Sequence, residues 1–223
     1  MFFNLAAALN SERRMISLGT GAEYGHRYYQ PKMREDYFGT HIPEDAYGFS
    51  KYVCAKYIEN SNNIINLRLF GVFGMYEDYE FKFISNSIVK NLLNLPIEIC
   101  QNVYFDYLYI EDLVRIIECF ITNEPSAKVY NVTPSDSIDL LTIVNIINRI
   151  SGTPSAVKVL NEGLNTEYSG DNARLTNELG EKIFTPYEDA IKELYEWYKF
   201  NIDKIDRQVI EKDECIKKCR VKK

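Results

Sequence analysis

The sequence predicts an α/β fold built on a parallel sheet. Short apolar stretches alternate along the chain with longer segments whose apolar residues recur at helical spacing, the pattern typical of strand–helix–strand units. The chain has 223 residues, enough for one domain with an added lobe. Its hydrophobic fraction of 46% and charged fraction of 26% are those of an ordinary soluble globular protein.

Periodicity and turn signals set the elements of the first third. Residues 2–11 and 45–60 have helical patterns. Strands are expected over residues 13–20, which end in a glycine-containing turn, and over residues 63–72, which hold a nearly continuous apolar run. Residues 25–44 are polar, aromatic and rich in turn formers, so they predict a surface loop.

The middle of the chain predicts a helix, a strand and a second helix. An amphipathic helix is expected over residues 80–94, with Phe81 on its apolar side. A short strand over residues 96–100 follows. The next helix, over residues 110–122, carries Asp112 in its first turn, where the helix dipole favours a carboxylate.

Capping residues indicate the later elements. A strand is expected over residues 128–132. Ser137 is a suitable N-cap for a helix over residues 138–151. Residues 156–160 predict a last strand.

The C-terminal region predicts one more helix and a tail. Thr185 is a suitable N-cap, and Pro186 would occupy the first position of a helix that runs to about Phe200. The sequence thus divides into a folded domain over residues 1–203 and a charged tail over residues 204–223, which we expect to be a frayed or solvated helix.

Charge and hydropathy argue against two classes of partner. The net charge of −6 does not favour a broad phosphate-binding surface, so no nucleic acid partner is expected. No run approaches eighteen apolar residues, so no membrane-spanning helix is expected. The apolar start, residues 1–9, is short and lacks a basic region, which indicates a buried helix rather than a signal peptide.

The cysteines predict a reducing, cytoplasmic location, because five thiols without framework spacing do not form a disulfide set. Two of them, Cys215 and Cys219, are at helical spacing in the basic tail. They are interpreted as one face of a terminal helix, with a metal pair as the alternative. His26 and His41 form no ligand cluster with cysteines, so no metal site is expected.

Tyr47 and Lys51 form the motif with the clearest chemistry. Residues four apart share one helix face. An ammonium group beside a phenol stabilises the phenolate and lowers the pKa of the phenol. The pair therefore predicts a proton shuttle that works near neutral pH, completed by a hydroxyl residue at the end of an upstream strand.

Several blocks agree in order and spacing with one family. They are Ser-Leu-Gly-Thr-Gly-Ala-Glu-Tyr-Gly at 17–25, the Tyr-Lys pair at 47 and 51, Leu-Arg-Leu-Phe-Gly-Val-Phe-Gly at 67–74, Phe-Asp-Tyr-Leu-Tyr-Ile-Glu-Asp-Leu at 105–113, Val-Tyr-Asn-Val-Thr at 129–133 and Gly-Asp-Asn-Ala-Arg-Leu at 170–175. This set resembles the extended short-chain dehydrogenase/reductase family, in particular the NAD-dependent epimerase/dehydratase group that acts on nucleotide sugars. The resemblance covers residues 1 to about 201.

The resemblance implies a fold and a site. The fold is the C-terminal part of a doubly wound Rossmann-like sheet plus a small α/β substrate lobe, mainly within residues 75–100 and 134–190. The implied catalytic residues are Thr20, the acid/base Tyr47, and Lys51, which in the family also holds the nicotinamide ribose. Thr20 as a hydroxyl that satisfies its own backbone remains the alternative.

The same resemblance implies contacts at the end of the strand after Arg68. Leu69, Phe70 and Val72 fall beside the nicotinamide, although a plain core role for Phe70 is equally open. The implied substrate-binding residues are Thr20, Gly71 and Asp106. The family often has Asn at the position of Gly71 and Arg at the position of Phe105, so the nucleotide contacts are expected to differ here.

The implied function is an NAD(P)-dependent nucleotide-sugar epimerase or 4-ketoreductase serving surface-polysaccharide synthesis, with NAD or NADP as cofactor and a nucleotide sugar as substrate. Sugar-4,6-dehydratases of the group carry Asp-Glu directly after the catalytic threonine, whereas Gly21 and Ala22 follow Thr20 here. A dehydratase is therefore the less favoured reaction. An arginine expected before Gly170 is replaced by Glu167 or Tyr168.

The largest departure from the family is the missing G-x-x-G-x-x-G segment. Gly19, Gly21 and Gly25 occupy the active-site turn around Thr20 and are rejected as that fingerprint. The chain is expected to be an N-terminally truncated member, with the Thr20 strand at a sheet edge, marginal stability and weak or absent cofactor binding unless another chain supplies the missing half. A non-catalytic binding or scaffold remnant is the alternative function.

Two further interactions are predicted. Family members often dimerise through the helix that carries the Tyr-Lys pair and the helix before it, which here would pair residues 2–11 and 45–60. Lys90 and Arg174 are candidates to replace the missing diphosphate contacts, with plain surface charge as the alternative for each.

Overall fold

The structure is a computed structural model that describes residues 1–10, 12–217 and 221. The helices are α1 Phe2–Ala7, α2 Ala46–Glu59, α3 Phe83–Leu92, α4 Ile110–Thr122, α5 Leu140–Ser151, α6 Ala173–Leu179, α7 Tyr187–Phe200, α8 Arg207–Lys212 and α9 Glu214–Lys217. The strands are β1 Met15–Thr20, β2 Ile64–Leu69, β3 Gly71–Phe73, β4 Ile97–Asn102, β5 Tyr104–Phe105, β6 Tyr107–Tyr109, β7 Val129–Val132, β8 Ile138–Asp139 and β9 Val157–Leu164.

The main sheet has three parallel strands in the order β1–β2–β7. Thr20 lies opposite Leu69, and Leu69 lies opposite Val132. The carboxyl ends of the three strands therefore meet at one edge, where α/β proteins place their ligands. In the described part of the chain β1 is an edge strand, as predicted.

Two main cores support this arrangement, and a third, small cluster of Ala6, Ile58 and Ile64 holds α1. Phe3 and Leu5 are about half exposed, so the prediction of a buried first helix is wrong. The core at the main sheet includes Leu67, Ile116 and Tyr130 and packs α4 and α6 against the strands. The larger core lies between α3, α5, α7 and the parallel pair β4–β9, and includes Ile88 and Val144. The predicted fold class, α/β with a parallel sheet, is confirmed. The lobe was expected to be small, but it contains the larger core.

The strand predicted over residues 63–72 is divided in two. β2 ends at Leu69, and β3, which starts at Gly71, pairs in parallel with β6 rather than continuing in the main sheet. The segment predicted as a loop over residues 25–44 holds two short 3₁₀ turns, His26–Tyr28 and Glu35–Tyr37.

Two predicted helix caps are wrong. Asp139, rather than Ser137, caps α5, because its carboxylate accepts the N–H groups of Leu141 and Thr142, while the Ser137 hydroxyl donates to Asp106. Thr185 does not cap α7, which begins at Tyr187 after Pro186.

Two more residues that were assigned to helices lie in other surroundings. The backbone N–H and hydroxyl of Thr185 bind the carboxylate of Asp112, at 2.9 and 2.7 Å. Phe81 lies before α3, which begins at Phe83. Asp112 itself is buried, so it joins α4 to the segment before α7 in addition to lying at the N-terminus of α4.

The expectation of a solvated tail is wrong for α8. Ile210 is 1% exposed and belongs to the larger core, and Asp213 accepts from Lys90 Nζ at 2.7 Å. The predicted Cys215–Cys219 pair lies outside the described residues, because Cys219 and the side chain of Cys215 are not described. Within residues 1–10 and 12–217 no helix is long and apolar enough to cross a bilayer, and the same residues hold no cluster of three potential metal ligands.

Candidate active site

Thr20 ends β1 at the carboxyl edge of the sheet and begins a 3₁₀ turn, Gly21–Tyr24. Its hydroxyl accepts the Ala22 N–H at 3.3 Å, and its own N–H donates to the carboxylate of Glu23 at 3.0 Å. This reciprocal capping box fixes the turn. Thr20 is only 7% exposed, so its hydroxyl is held in one place.

Tyr47 and Lys51 lie on α2, which packs against this turn. Asp45 caps the helix by accepting the Gly48 N–H at 2.8 Å. A Cβ atom at Gly48 would lie 2.9 Å from the carbonyl oxygen of Ala22, so glycine lets the helix approach the turn. The Tyr47 side chain is 58% exposed and therefore accessible to a ligand.

Lys51 ties α2 to the outer edge of β1. Its ammonium group donates to the carbonyl oxygen of Leu18 at 2.9 Å. Met15 donates its N–H to Asn63 on the side of β2, and backbone groups alternate in direction along a strand, so those of Leu18 point to the opposite side. Lys51 thus occupies the open edge of the sheet beside the Thr20 turn.

A buried polar network lies behind the turn. Arg68 Nε donates to Glu23 at 2.6 Å, and Arg68 Nη1 donates to the hydroxyl of Tyr24 at 3.2 Å. The Tyr24 hydroxyl in turn donates to Asn131 Oδ1 at 2.7 Å. Arg68 and Glu23 are each 1% exposed. Sequence reasoning missed this network, although Thr20 and Glu23 have the spacing of a capping box.

The ring of Phe70, which follows β2, packs between two glycines from other parts of the chain, Gly21 and Gly170. A Cβ atom at Gly21 would lie 2.7 Å from the Phe70 ring, and one at Gly170 would lie 2.6 Å from it. The ring of Tyr168 packs on Phe70 with the centroids 4.9 Å apart. Phe70 is thus packed against the Thr20 turn and also lines a cavity. Its contact with a nicotinamide remains a prediction.

That cavity, of about 490 Å³, opens beside Phe70. Such a volume suits a small organic ligand. Its aromatic wall is formed by Phe70, Phe73, Phe81, Phe83, Phe105, Tyr107 and Tyr168. Its charged lining residues among those the structure describes are Glu77, Lys82 and Glu98. Two of the predicted contacts, Gly71 and Val72, also line the cavity. The third, Leu69, lies opposite Thr20 where the strands of the main sheet end.

Asp106 joins three segments rather than lining the cavity. It is completely buried, and its carboxylate accepts from the Ser137 hydroxyl at 2.6 Å, the Gly170 N–H at 2.9 Å and Lys32 Nζ at 3.2 Å. These bonds hold Gly170 beneath the Phe70 ring. A substrate contact at Asp106 remains a prediction.

The two cations proposed to replace the missing diphosphate contacts, Lys90 and Arg174, do not line the cavity. Lys90 is buried and forms its ion pair with Asp213, so surface charge is the wrong interpretation for it. Arg174 donates to the carbonyl oxygen of Val129 at 2.8 Å. Neither lines the cavity, whereas Tyr168 does, and its hydroxyl lies 3.4 Å from Thr20 Oγ1.

The Glu77 carboxylate is the most perturbed acid of the cavity. Burial raises its pKa to about 7, against the opposing effects of the Ser85 hydroxyl, which donates to it at 2.5 Å, and of Lys82. Since this pKa is raised above the value of 4.5 for an unperturbed glutamate, the contribution of Glu77 to stability is complete below pH 4.5 and is lost as the pH rises through 7.

Glu77→Gln should therefore change the pH dependence of stability. At pH 8 we expect the free energy of unfolding to rise by about 1–3 kcal/mol over the native chain, and at pH 4.5 we expect little difference. Urea denaturation at the two pH values measures this. Glu118→Gln, at an exposed position on α4, is the matched control. An equal effect of Glu77→Gln at both pH values would contradict the interpretation.

Comparison with known proteins now identifies the family. The family model described as the NAD dependent epimerase/dehydratase family matches residues 2–133. The chain belongs to this family. Over 168 residues it is 27% identical to dTDP-4-dehydro-6-deoxyglucose reductase of Escherichia coli, an alignment that covers 69% of this chain and 52% of the reductase. The chain thus spans about half the length of this curated relative.

Solved structures agree with the fold. UDP-glucuronic acid 4-epimerase from Bacillus cereus, in complex with NAD, superimposes with a TM-score of 0.68 at 21% identity, over 83% of this chain and 61% of that one. A dTDP-glucose 4,6-dehydratase from Bacillus anthracis, also in complex with NAD, gives 0.71 at 19% identity, over 85% and 63%. The Rossmann-like fold class and the resemblance drawn from the sequence blocks are confirmed.

Proposed function

We propose that this chain carries the sugar-binding and proton-transfer side of an NAD(P)-dependent nucleotide-sugar epimerase or 4-ketoreductase. The observation that supports it most is one arrangement. The buried Thr20 hydroxyl, the α2 helix with Tyr47 and Lys51, and an aromatic cavity adjoin one another at the carboxyl edge of a parallel sheet. Active sites in open α/β sheets lie at this edge.

Each of the three side chains has a distinct proposed role. The Thr20 hydroxyl binds the reacting oxygen of the sugar. The Tyr47 phenolate takes the proton of that hydroxyl when the sugar carbon is oxidised, and the resulting phenol returns the proton when the ketone is reduced. Lys51 stabilises the phenolate and binds ribose hydroxyls. A nicotinamide cofactor, when bound, takes or supplies the hydride.

The residues present fit the nicotinamide end of such a cofactor better than its phosphates. Tyr47 and Lys51 are accessible at the outer edge of β1. The glycines on either side of Thr20 offer no phosphate cradle, because a Cβ at Gly19 would lie 2.3 Å from Asn66 Oδ1 and one at Gly21 would meet Phe70. We therefore expect weak binding of NAD or NADP by this chain alone.

A 4,6-dehydratase is the less supported reaction. The turn after Thr20 offers Ala22 where such enzymes carry an acid. The nearby Glu23 is 1% exposed and paired with Arg68, so its carboxylate cannot reach a ligand. An epimerase or reductase requires no additional acid at this point.

Binding of nucleotide sugars by the full chain tests the proposal. UDP-glucose and dTDP-glucose serve as probes in calorimetric titrations. We expect saturable binding, weakened about 3- to 10-fold by Thr20→Val, since one hydrogen bond contributes about 0.5–1.5 kcal/mol. Thr20→Ser, which keeps the hydroxyl, should bind like the native chain, and Thr122→Val, at a helix end far along the chain, controls for the loss of a threonine hydroxyl. Absence of binding to either nucleotide sugar would refute the proposal.

A non-catalytic binding module is the second candidate function. The packing around Gly19 and Gly21 supports it, because the space beside these glycines is filled by Asn66 and Phe70 and offers no place for a cofactor phosphate. Such a module would bind the nucleotide sugar and carry out no hydride transfer. The turnover experiment argued in the Discussion distinguishes the two candidates.

A further inference from the structure

Three hydroxyl groups meet where the Thr20 turn adjoins the cavity: those of Thr20, Tyr29 and Tyr168, here called the hydroxyl cluster. The Tyr168 oxygen lies 3.4 Å from Thr20 Oγ1. The ring centroids of Tyr29 and Tyr168 are 4.8 Å apart. The Tyr29 hydroxyl is buried and interacts with the hydroxyl of Tyr168. The hydroxyls of Thr20 and Tyr29 therefore both lie beside the hydroxyl of Tyr168.

Backbone and ring contacts hold Tyr168 in place. Its N–H donates to the carbonyl oxygen of Tyr104 at 3.1 Å, and its own carbonyl oxygen accepts the Asp106 N–H at 3.2 Å. Its ring packs on Phe70. A Cβ atom at Gly21 would lie 2.7 Å from the Tyr168 hydroxyl oxygen, so that oxygen lies directly over the Thr20 turn.

The distance between the two oxygens leaves both available. Hydrogen bonds between hydroxyls usually measure 2.5–3.0 Å, so the 3.4 Å contact between Thr20 and Tyr168 is a weak one. An acceptor oxygen placed beside them would bind each more strongly than they bind each other. Burial raises the pKa of Tyr168 to about 12, so at neutral pH its phenol is protonated and able to donate.

We propose that Tyr168 is a ligand-contacting residue that donates a hydrogen bond from its phenol to a glycosyl oxygen held beside Thr20. The proposal rests on the proposed function and names a further residue of the same site. The hydroxyl cluster contains no cation, and its neutral donors suit the uncharged oxygens of a sugar better than a phosphate, for which Arg or Lys is the usual partner. Lys82 lines the cavity from a different element, at the start of α3.

A comparison of two ligands tests this. The full-length Tyr168→Phe variant is titrated with UDP-glucose and with UDP. We expect its affinity for UDP-glucose to fall about 3- to 10-fold, the effect of one lost hydrogen bond, and its affinity for UDP to stay as in the native chain. Tyr104→Phe, on the neighbouring strand β5, is the matched control and should bind both ligands normally.

The outcomes separate this inference from the proposed function. Unchanged UDP-glucose affinity, or an equal loss for both ligands, would overturn the role of Tyr168 while leaving the proposed function in place. Failure of the native chain to bind either ligand would overturn both. Thermal unfolding of each variant shows whether an equal loss of affinity comes from misfolding. If Tyr168→Phe is misfolded, Tyr168→Trp, which retains a ring but no phenol, takes its place. For the inference to stand, Tyr168→Trp must then bind UDP-glucose more weakly than the native chain and bind UDP equally well.

Discussion

Glu23→Ala is expected to lower the free energy of unfolding by about 3–5 kcal/mol, because it leaves the Arg68 guanidinium buried without its carboxylate partner. Both residues are 1% exposed, and Arg68 Nε lies 2.6 Å from Glu23 Oε2. The same carboxylate also accepts from the Thr20 N–H and from Asn66 Nδ2. The substitution therefore removes the capping box of the Thr20 turn as well as the ion pair.

Urea denaturation with and without the substitution measures this loss. Glu44→Ala is the matched control, since Glu44 pairs with Arg27 at 2.9 Å on the surface, where such a pair contributes about 0–1 kcal/mol. A double variant, Glu23→Leu with Arg68→Met, should recover part of the loss, because it leaves no buried charge unpaired. If Glu23→Ala costs no more than Glu44→Ala, the buried pair does not stabilise the fold as argued.

The elements that the sequence predicted well are those set by local pattern. Helix α4 has the predicted bounds, Ile110–Thr122, because its apolar residues recur at one regular spacing. The order of the main-sheet strands β1, β2 and β7 and of the longer helices was likewise readable, and with it the edge position of β1. The ordered motif blocks predicted the family, because their spacing along the chain does not depend on tertiary contacts.

The elements that were missed depend on partners distant in sequence. Ser137 has the local signal of a helix cap, but its hydroxyl bonds to Asp106, 31 residues away. The charged segment around α8 reads as solvated, but Ile210 enters the larger core. No local pattern reveals such contacts, because they form only when segments distant in sequence pack together.

The candidate site shows the same division. Thr20, Tyr47 and Lys51 were named from motif blocks. Tyr168 appeared only as a departure from a family pattern, because it meets Thr20 across 148 residues of sequence. Glu23 is the intermediate case: its spacing from Thr20 is a local signal for a capping box, but its burial with Arg68 is visible only in three dimensions.

Tyr47→Phe is expected to lower turnover at least about 100-fold in any preparation of the full chain that oxidises NADH or NADPH with a 4-keto sugar nucleotide, since general acid–base transfer contributes about 10²–10⁴-fold. The substitution keeps the ring and removes only the phenol oxygen, so binding of the nucleotide sugar should change little. The rate of cofactor oxidation, followed by absorbance, measures turnover.

Tyr57→Phe provides the control on the same helix. Its side chain is 43% exposed and its ring contacts Phe2 and Phe3, contacts that phenylalanine keeps. Turnover should therefore be normal in Tyr57→Phe and lost in Tyr47→Phe. Equal turnover in the two variants would exclude Tyr47 as the acid/base, because removing the phenol at position 47 would then have no more effect than removing the one at position 57. Nucleotide-sugar binding without any cofactor oxidation by the native chain would instead support the non-catalytic module, because binding requires Thr20 and the cavity, while proton transfer requires the Tyr47 hydroxyl and a bound nicotinamide together.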